Sequence, residues 1–161
     1  MIAEAVIATP LKRNLHVVCD DAGIVASRFT TRSRSAVAPA ARTHEHLRAT
    51  LRQLDAYFAR RLPRFDLPLV MAGTPFQLAV WNAVAGLETG ELASYAEIAR
   101  AIGRPNAHRG VAGALAKTPL ALFVPAHRVV GSDGRVRGAA ATSMRRRLLE
   151  FERSSRPSTR A

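Results

Sequence analysis

The sequence predicts an α+β fold, in which a small antiparallel-sheet module precedes a helical, winged helix-turn-helix-like domain. Residues 2–29 hold short apolar, β-branched runs separated by turn residues, a pattern typical of antiparallel strands. Residues 74–117 hold three short helical segments with start signals and a Gly-containing turn. The length of 161 residues suits two small halves that share a core. We therefore assign the α+β module to residues 1–70, the helical domain to 71–153 and a disordered tail to 154–161.

The composition is that of an ordinary soluble globular protein, with 48% hydrophobic and 22% charged residues. No apolar run approaches the roughly 18 residues of a membrane span, and the start lacks the pattern of a signal peptide. Cys19 is the only cysteine, which excludes an intramolecular disulfide and a cysteine zinc site. His44 and His46 lie two positions apart on a predicted helix and do not share a face. We expect a bacterial cytosolic protein without membrane contact, metal or cofactor.

The charge balance indicates a polyanionic partner. The chain has 24 Lys and Arg residues against 12 Asp and Glu residues, a formal net charge of +12. Nucleic acid is the simplest partner for such an excess. The alternative is a compositional drift toward arginine in a GC-rich genome, because only Lys12 and Lys117 are lysines.

Three strands and one helix are predicted in the first module. The strand segments are residues 2–8, 15–18 and 23–29, which favour an antiparallel meander. Residues 31–43 are rich in Arg, Ser, Ala and Pro and are interpreted as a loose connection. In residues 44–61, apolar side chains recur at helical spacing, which predicts a helix that packs on the sheet.

Four helices are predicted in the second half. Thr74 can cap the first helix, with proline at the first helical position, and Ser94 and Glu97 fit a capping box for the second. A turn at 103–106 completes the helix-turn-helix pattern. The remaining predicted segments are a third helix over 107–117, a hairpin wing over 129–134 and a final helix over 143–152. In the final helix, the arginines at 145–147 are interpreted as a solvated helix end that favours phosphate or the carbonyl terminus of the helix.

The third helix is rich in small residues. Gly110 and Gly113 each cost a helix roughly 1 kcal/mol against alanine, so a close approach of the backbone to some partner is expected. That partner is either a neighbouring helix or a narrow groove of DNA, since a minor groove about 6 Å wide accepts a helix only with small side chains. Arg109 stands among them as a phosphate contact, a surface arginine or a side chain inserted into the base stack.

Ordered motifs in the second half resemble the DNA-binding domain of the O6-alkylguanine-DNA alkyltransferases. They are Gly-Thr-Pro-Phe-Gln at 73–77, Arg-Gly-Val-Ala at 109–112 and Pro-Ala-His-Arg-Val-Val-Gly at 125–131. The last is similar to the active-site segment of the family, with alanine in place of cysteine. Residues 7–11 and 54–59 resemble the small, ribonuclease H-like N-terminal domain of bacterial members.

The resemblance implies a DNA-repair chemistry. The family flips a damaged guanine out of the duplex and transfers its alkyl group to the protein's own cysteine, which requires a reactive thiolate. By position, His127 is the base for that thiol, Glu152 its acidic partner, Arg109 the residue that fills the vacated stack, and Tyr95 the residue that swings the nucleotide. The full implied DNA-binding set is Tyr95, Arg109, Gly110, Ala112, Gly113 and Arg128, and the implied lesion pocket is Ala126, Val129, Thr118, Ala139 and Ala140.

Several departures from the family pattern concern the pocket. Ala126 has no nucleophile, and Cys19 is interpreted as a core residue of the first module. Thr118 stands where the family usually has Asn. Residues 138–142 replace the usual Tyr-[Ser/Ala]-Gly-Gly stretch. These coupled changes favour a natural member that resembles the alkyltransferase-like proteins, which bind O6-alkylguanine in double-stranded DNA and pass it to nucleotide excision repair.

Two alternatives stay open. One is a helix-turn-helix DNA-binding or regulatory protein without lesion selectivity. The other is a methyltransferase in which an engineered change at position 126 has replaced cysteine with alanine.

Overall fold

The computed structural model describes residues 1–137 and 142–154. The strands are β1 (Ala3–Ile7), β2 (Asn14–Cys19), β3 (Ile24–Thr30), β4 (Ala93–Ser94) and β5 (Val129–Val130). The helices are α1 (Glu45–Phe58), α2 (Pro75–Ala85), α3 (Tyr95–Ala101), α4 (His108–Ala116) and α5 (Thr142–Ser154), with 3-10 turns at Ala41–Thr43 and Ala126–Arg128. The predicted α+β fold class is confirmed. The tail expected to be disordered is 154–161, and its residues after Ser154 lie outside the described part of the chain.

The first module is the predicted meander. Strands β1, β2 and β3 pair antiparallel in that order, with Ala5 opposite Val17 and Val17 opposite Ser27. Helix α1 begins after His44, whose side chain accepts a hydrogen bond from the Leu47 N–H. The apolar face of α1 is buried in the same core as the apolar side chains of the sheet. Alternation along the strands and helical spacing along α1 therefore put their apolar faces into one core.

Helices α2 and α3 begin where the sequence signals predict. Thr74 and Gln77 form a reciprocal capping box at α2, and Ser94 Oγ accepts from the Glu97 N–H at α3, at 3.0 Å. Gly103 has a φ of +75°, a left-handed conformation that glycine adopts without strain, so it ends α3 and turns the chain toward α4. The helix-turn-helix is therefore present.

The predicted hairpin wing is wrong in its pairing. Val129 and Val130 pair in parallel with Ala93 and Ser94. A turn follows, in which the Gly131 N–H donates to the Arg135 carbonyl at 2.7 Å, but residues 131–137 contain no strand. Both valines of β5 are buried, so they lie inside the domain rather than on a projecting wing.

The two halves share a core through the outer edge of the sheet. Ser27 of β3 donates its N–H to the Pro119 carbonyl at 3.0 Å and its hydroxyl to the Ala121 carbonyl at 2.8 Å. Within the second half, Trp81 of α2 is buried and donates to the Ala114 carbonyl of α4 at 2.9 Å. The contacts of Ser27 fix the segment after α4 against the first module, directly before the 3-10 turn at Ala126–Arg128. Among the described residues, no helix has the length and apolar character needed to cross a membrane.

Candidate functional site

A buried polar cluster lies between the 3-10 turn and the C-terminal helix. His127 Nε2 lies 2.5 Å from Glu152 Oε2, and Arg128 Nε donates to Glu152 Oε1 at 2.8 Å. A third donor comes from the first module, since the Tyr57 hydroxyl lies 2.6 Å from Glu152 Oε2. The side chains of His127 and Glu152 are 1% and 3% exposed. The turn, α5 and α1 therefore meet at one carboxylate.

Charge and burial set the protonation of this cluster. Burial opposes ionisation of Glu152, but the hydrogen bonds and charges of His127 and Arg128 outweigh it and lower its pKa to about 2. Burial lowers the pKa of His127, against the opposing effect of Glu152. Burial and the Glu152 charge raise the pKa of Tyr57. At neutral pH the arrangement is a carboxylate that accepts from a neutral imidazole, a guanidinium and a phenol.

Arg128 is not a DNA contact, and that expectation is corrected. The residue is 3% exposed, and its guanidinium also donates to the Leu87 carbonyl at 2.6 Å and to Thr89 Oγ1 at 3.1 Å. A buried carboxylate needs a paired charge, and Arg128 supplies it for Glu152. The basic residue of the motif is therefore structural.

Ala126 borders a cavity of about 240 Å³ beside this cluster. His127, Thr118 and Arg145 also line it, and most of its remaining wall is apolar. The structure thus brings together three residues expected to act in the pocket, Ala126, His127 and Thr118. Val129, a predicted pocket residue, is fully buried in β5 and does not border this cavity.

A second cavity, of about 520 Å³, lies along the helix-turn-helix. Tyr95, Arg109 and Ala112 line it, together with His108 and Arg137. Tyr95 is 9% exposed, whereas Arg109 is exposed at the start of α4. Three of the predicted DNA-binding residues therefore face one space. Ala126 does not line it, so the predicted site residues divide between two cavities.

The two glycines of α4 have different surroundings. A Cβ at Gly110 would lie 3.1 Å from Phe76 Cζ of α2, whereas a Cβ at Gly113 would meet nothing within 4 Å. Gly110 therefore has the helix-packing role, and Gly113 leaves a bare strip of backbone on the exposed face of α4. The helix-packing interpretation therefore applies to Gly110, whereas an approach to a groove of DNA stays a prediction for Gly113.

Sequence reasoning missed two residues of the site. Arg145, interpreted as part of a solvated helix end, is half-buried and donates to the Leu115 carbonyl at 2.8 Å. Tyr57 lies in the segment 54–59, and its helical spacing from Leu54 is a local signal for burial. Its partner Glu152 could not be read from the spacing, because the two residues are distant in sequence.

Three further expectations concern residues away from these cavities. Ala139 and Ala140 lie outside the described residues. Cys19 is a fully buried core residue of β2, as expected, and burial raises the pKa of its thiol. Within residues 1–137 and 142–154, no group of three or more His, Cys, Asp or Glu side chains could hold a metal ion.

Two family models match the chain. The 6-O-methylguanine DNA methyltransferase, ribonuclease-like domain, matches residues 2–71. The 6-O-methylguanine DNA methyltransferase, DNA binding domain, matches residues 75–154. Together they cover both halves of the fold.

Individual relatives agree with these matches. The methylated-DNA–protein-cysteine methyltransferase of Methanosarcina acetivorans is 44% identical over 111 residues, 68% of this chain and 71% of that protein. The crystal structure of Mycobacterium tuberculosis O6-methylguanine methyltransferase has a TM-score of 0.81 and 34% identity, covering 98% of this chain and 96% of that one. The structure of Mycobacterium tuberculosis OGT in complex with DNA has a TM-score of 0.77 and 35% identity, covering 95% and 94% of the two chains. The chain therefore belongs to the O6-methylguanine DNA methyltransferase family.

Proposed function

We propose that this protein binds double-stranded DNA that carries O6-alkylguanine, flips the damaged base, and does not transfer the alkyl group to its own chain. The observation that carries the proposal is the position of Ala126. It borders a cavity next to a complete His127–Glu152 pair, yet its methyl group has no nucleophilic atom. We infer that this chain keeps the residues that recognise the lesion but lacks a residue at this position that could accept the alkyl group.

Cys19 does not replace the acceptor. The Methanosarcina acetivorans relative is a methylated-DNA–protein-cysteine methyltransferase, and transfer of an alkyl group to a cysteine needs a thiolate. Cys19 is fully buried on β2, and burial raises the pKa of its thiol. A protonated core thiol without access to DNA cannot take up an alkyl group.

The exposed face of α4 supports binding to duplex DNA. Arg109 is exposed at its first turn, Gly113 leaves its backbone open, and Lys117 is exposed just beyond its last residue. The net charge of +12 adds a general attraction for phosphate. We infer that Arg109 fills the space of a flipped base while Tyr95, which lines the same cavity as Arg109, contacts the nucleotide.

Lesion recognition is tested by comparing two duplexes that differ only in one O6-methylguanine, titrated at one fixed salt concentration. We expect at least a tenfold preference for the damaged duplex, which is about 1.4 kcal/mol. Equal affinities would contradict lesion recognition and favour the helix-turn-helix protein without lesion selectivity.

Restoring the thiol separates a non-transferring protein from an inactivated methyltransferase. In Ala126→Cys, methyl transfer from O6-methylguanine to the protein is measured by intact mass. The altered Thr118 position and the changed 138–142 segment lead us to expect little or no transfer. Rapid stoichiometric methylation of Ala126→Cys would instead identify a methyltransferase disabled at a single position.

The fate of the bound lesion is part of the proposal. Because a protein that only binds O6-alkylguanine does not remove the alkyl group, another pathway has to repair the lesion. We propose that this pathway is nucleotide excision repair in the bacterial cytosol or nucleoid. The measurement is incision of an O6-methylguanine duplex by purified excision-repair proteins with and without this protein. Unchanged incision would contradict that role.

A further inference from the structure

We propose that the cavity beside Ala126 admits a small free thiol, which accepts the alkyl group of the bound O6-alkylguanine in place of a protein cysteine. The inference rests on the proposed function, and it further requires that the flipped base extends from Tyr95 to the cavity beside Ala126. It extends that function from binding to a reaction that leaves the protein unmodified, so that one protein molecule can repair several lesions in turn.

The cavity has room for such a thiol. Its volume of about 240 Å³ is far above the roughly 10–15 Å³ at which a cavity holds one water. The Ala126 methyl group ends where a cysteine side chain would continue to sulfur. Leu115 and Leu148 contribute apolar wall, which suits a soft, polarizable sulfur. The cavity is partly open, and two of the residues that line it, Thr118 and Arg145, are half-buried.

His127 presents a base to the same space. Its Nε2 is bonded to the Glu152 carboxylate and therefore carries the proton, which leaves the lone pair on Nδ1. No residue within 1–137 and 142–154 forms a hydrogen bond with Nδ1, although the ring is 1% exposed and borders the cavity. A buried acceptor without a partner requires an explanation. Burial also lowers the pKa of His127, which keeps the imidazole neutral and able to take a proton.

A cation stands at the same cavity. Arg145 borders it, and its positive charge helps to lower the pKa of His127. A nearby guanidinium favours the thiolate form of a thiol, which is the nucleophilic form. The cavity therefore offers a base and a cation to a sulfur that the chain itself does not supply.

The proposed step is balanced without an oxidant or reductant. His127 Nδ1 accepts the thiol proton, and the thiolate sulfur attacks the alkyl carbon. The new S–C bond forms as the C–O6 bond breaks, and the electron pair stays with guanine, which becomes the normal keto base. The imidazolium proton returns, through solvent, to guanine N1. The products are a thioether and repaired DNA, and the protein is unchanged.

The test uses the full chain with a molar excess of duplex that contains deuteromethyl O6-methylguanine, and β-mercaptoethanol as the thiol. Guanine restored in the digested DNA and the deuteromethyl thioether are both quantified by mass spectrometry. We expect more than one guanine restored per protein molecule, in equal amount to the thioether and in proportion to the thiol added. Ethylene glycol replaces the thiol in the matched control, which should give none.

Two variants connect the reaction to the cavity. Ala126→Leu fills the space for the thiol and should abolish thioether formation. His127→Asn removes the base and should lower the rate about 100-fold or more. If circular dichroism shows that His127→Asn is unfolded, the amount of thioether formed by Ala126→Leu decides the test.

Each result has a separate meaning. A preference for the damaged duplex without any thioether would overturn the thiol reaction and leave the proposed function intact. Absence of any preference for the damaged duplex would overturn the proposed function itself. Deuteromethyl found on the protein, or equal thioether from wild type and Ala126→Leu, would also overturn the thiol reaction.

Discussion

The hydroxyl of Tyr57 donates a 2.6 Å hydrogen bond to Glu152 and so joins the first module to the buried cluster of the second. Neighbouring contacts reinforce this junction. Arg60 stacks over the Phe151 ring at 4.0 Å and donates to the Phe151 carbonyl. The end of α1 thus holds the end of α5, and with it the carboxylate that orients His127.

Tyr57→Phe should lower the free energy of unfolding by about 1–3 kcal/mol, because it removes a buried donor from a charged acceptor without changing the packing volume. Urea denaturation measures the change. Tyr95→Phe is the matched control, since its hydroxyl makes no hydrogen bond within residues 1–137 and 142–154. Equal losses in the two variants would contradict a special role for the Tyr57–Glu152 bond.

Stability should fall as the pH falls from about 7 to 3. The pKa of Glu152 in the folded protein is about 2, below the usual value of about 4.3, so its contribution is present above pH 5 and lost as the pH approaches 2. Burial lowers the pKa of His127 below its usual value of about 6.5, so the unfolded chain gains a proton first and the loss begins near neutrality.

Urea midpoints at a series of pH values measure this dependence. Glu152→Gln should be less stable at neutral pH and should show a shallower dependence on pH, because one of the two titrating groups is absent. An unchanged slope in Glu152→Gln would show that other groups dominate the acid response.

Arg109→Ala should weaken binding to a duplex with O6-methylguanine by at least tenfold more than binding to the undamaged duplex. The physical reason is that an inserted side chain contributes only when a base has left the stack. Arg52→Ala, an exposed arginine on α1, is the control for the loss of one positive charge. Equal losses on both duplexes would reduce Arg109 to a phosphate contact.

The two glycines of α4 should respond differently to alanine. Gly113→Ala should raise the free energy of unfolding by about 1 kcal/mol, since helix propensity improves and the new methyl group meets nothing within 4 Å. Gly110→Ala should gain less or lose stability, because its methyl group would lie 3.1 Å from Phe76 Cζ. Thermal unfolding of the two variants measures the difference, and identical shifts would contradict the packing role of Gly110.

The sequence by itself determined the elements and the family resemblance. Short apolar runs, helical spacing and the caps at Thr74 and Ser94 are local signals, because each depends on residues that are close together in the chain. The motif at 125–131 placed Ala126 and His127 at the site for the same reason. Parallel pairing of β5 with β4 was not predicted, because it joins segments distant in the chain.

Only the tertiary structure decided which polar side chains are buried and what they face. The sequence placed Arg128 on DNA, but folding encloses it with Glu152, where a buried carboxylate requires a paired cation. It placed Arg145 in solvent, but α5 turns that side chain toward the Leu115 carbonyl and the cavity at Ala126. The choice of hydrogen-bond and charge partners arises from contacts between distant segments, and local sequence patterns carry no information about those contacts.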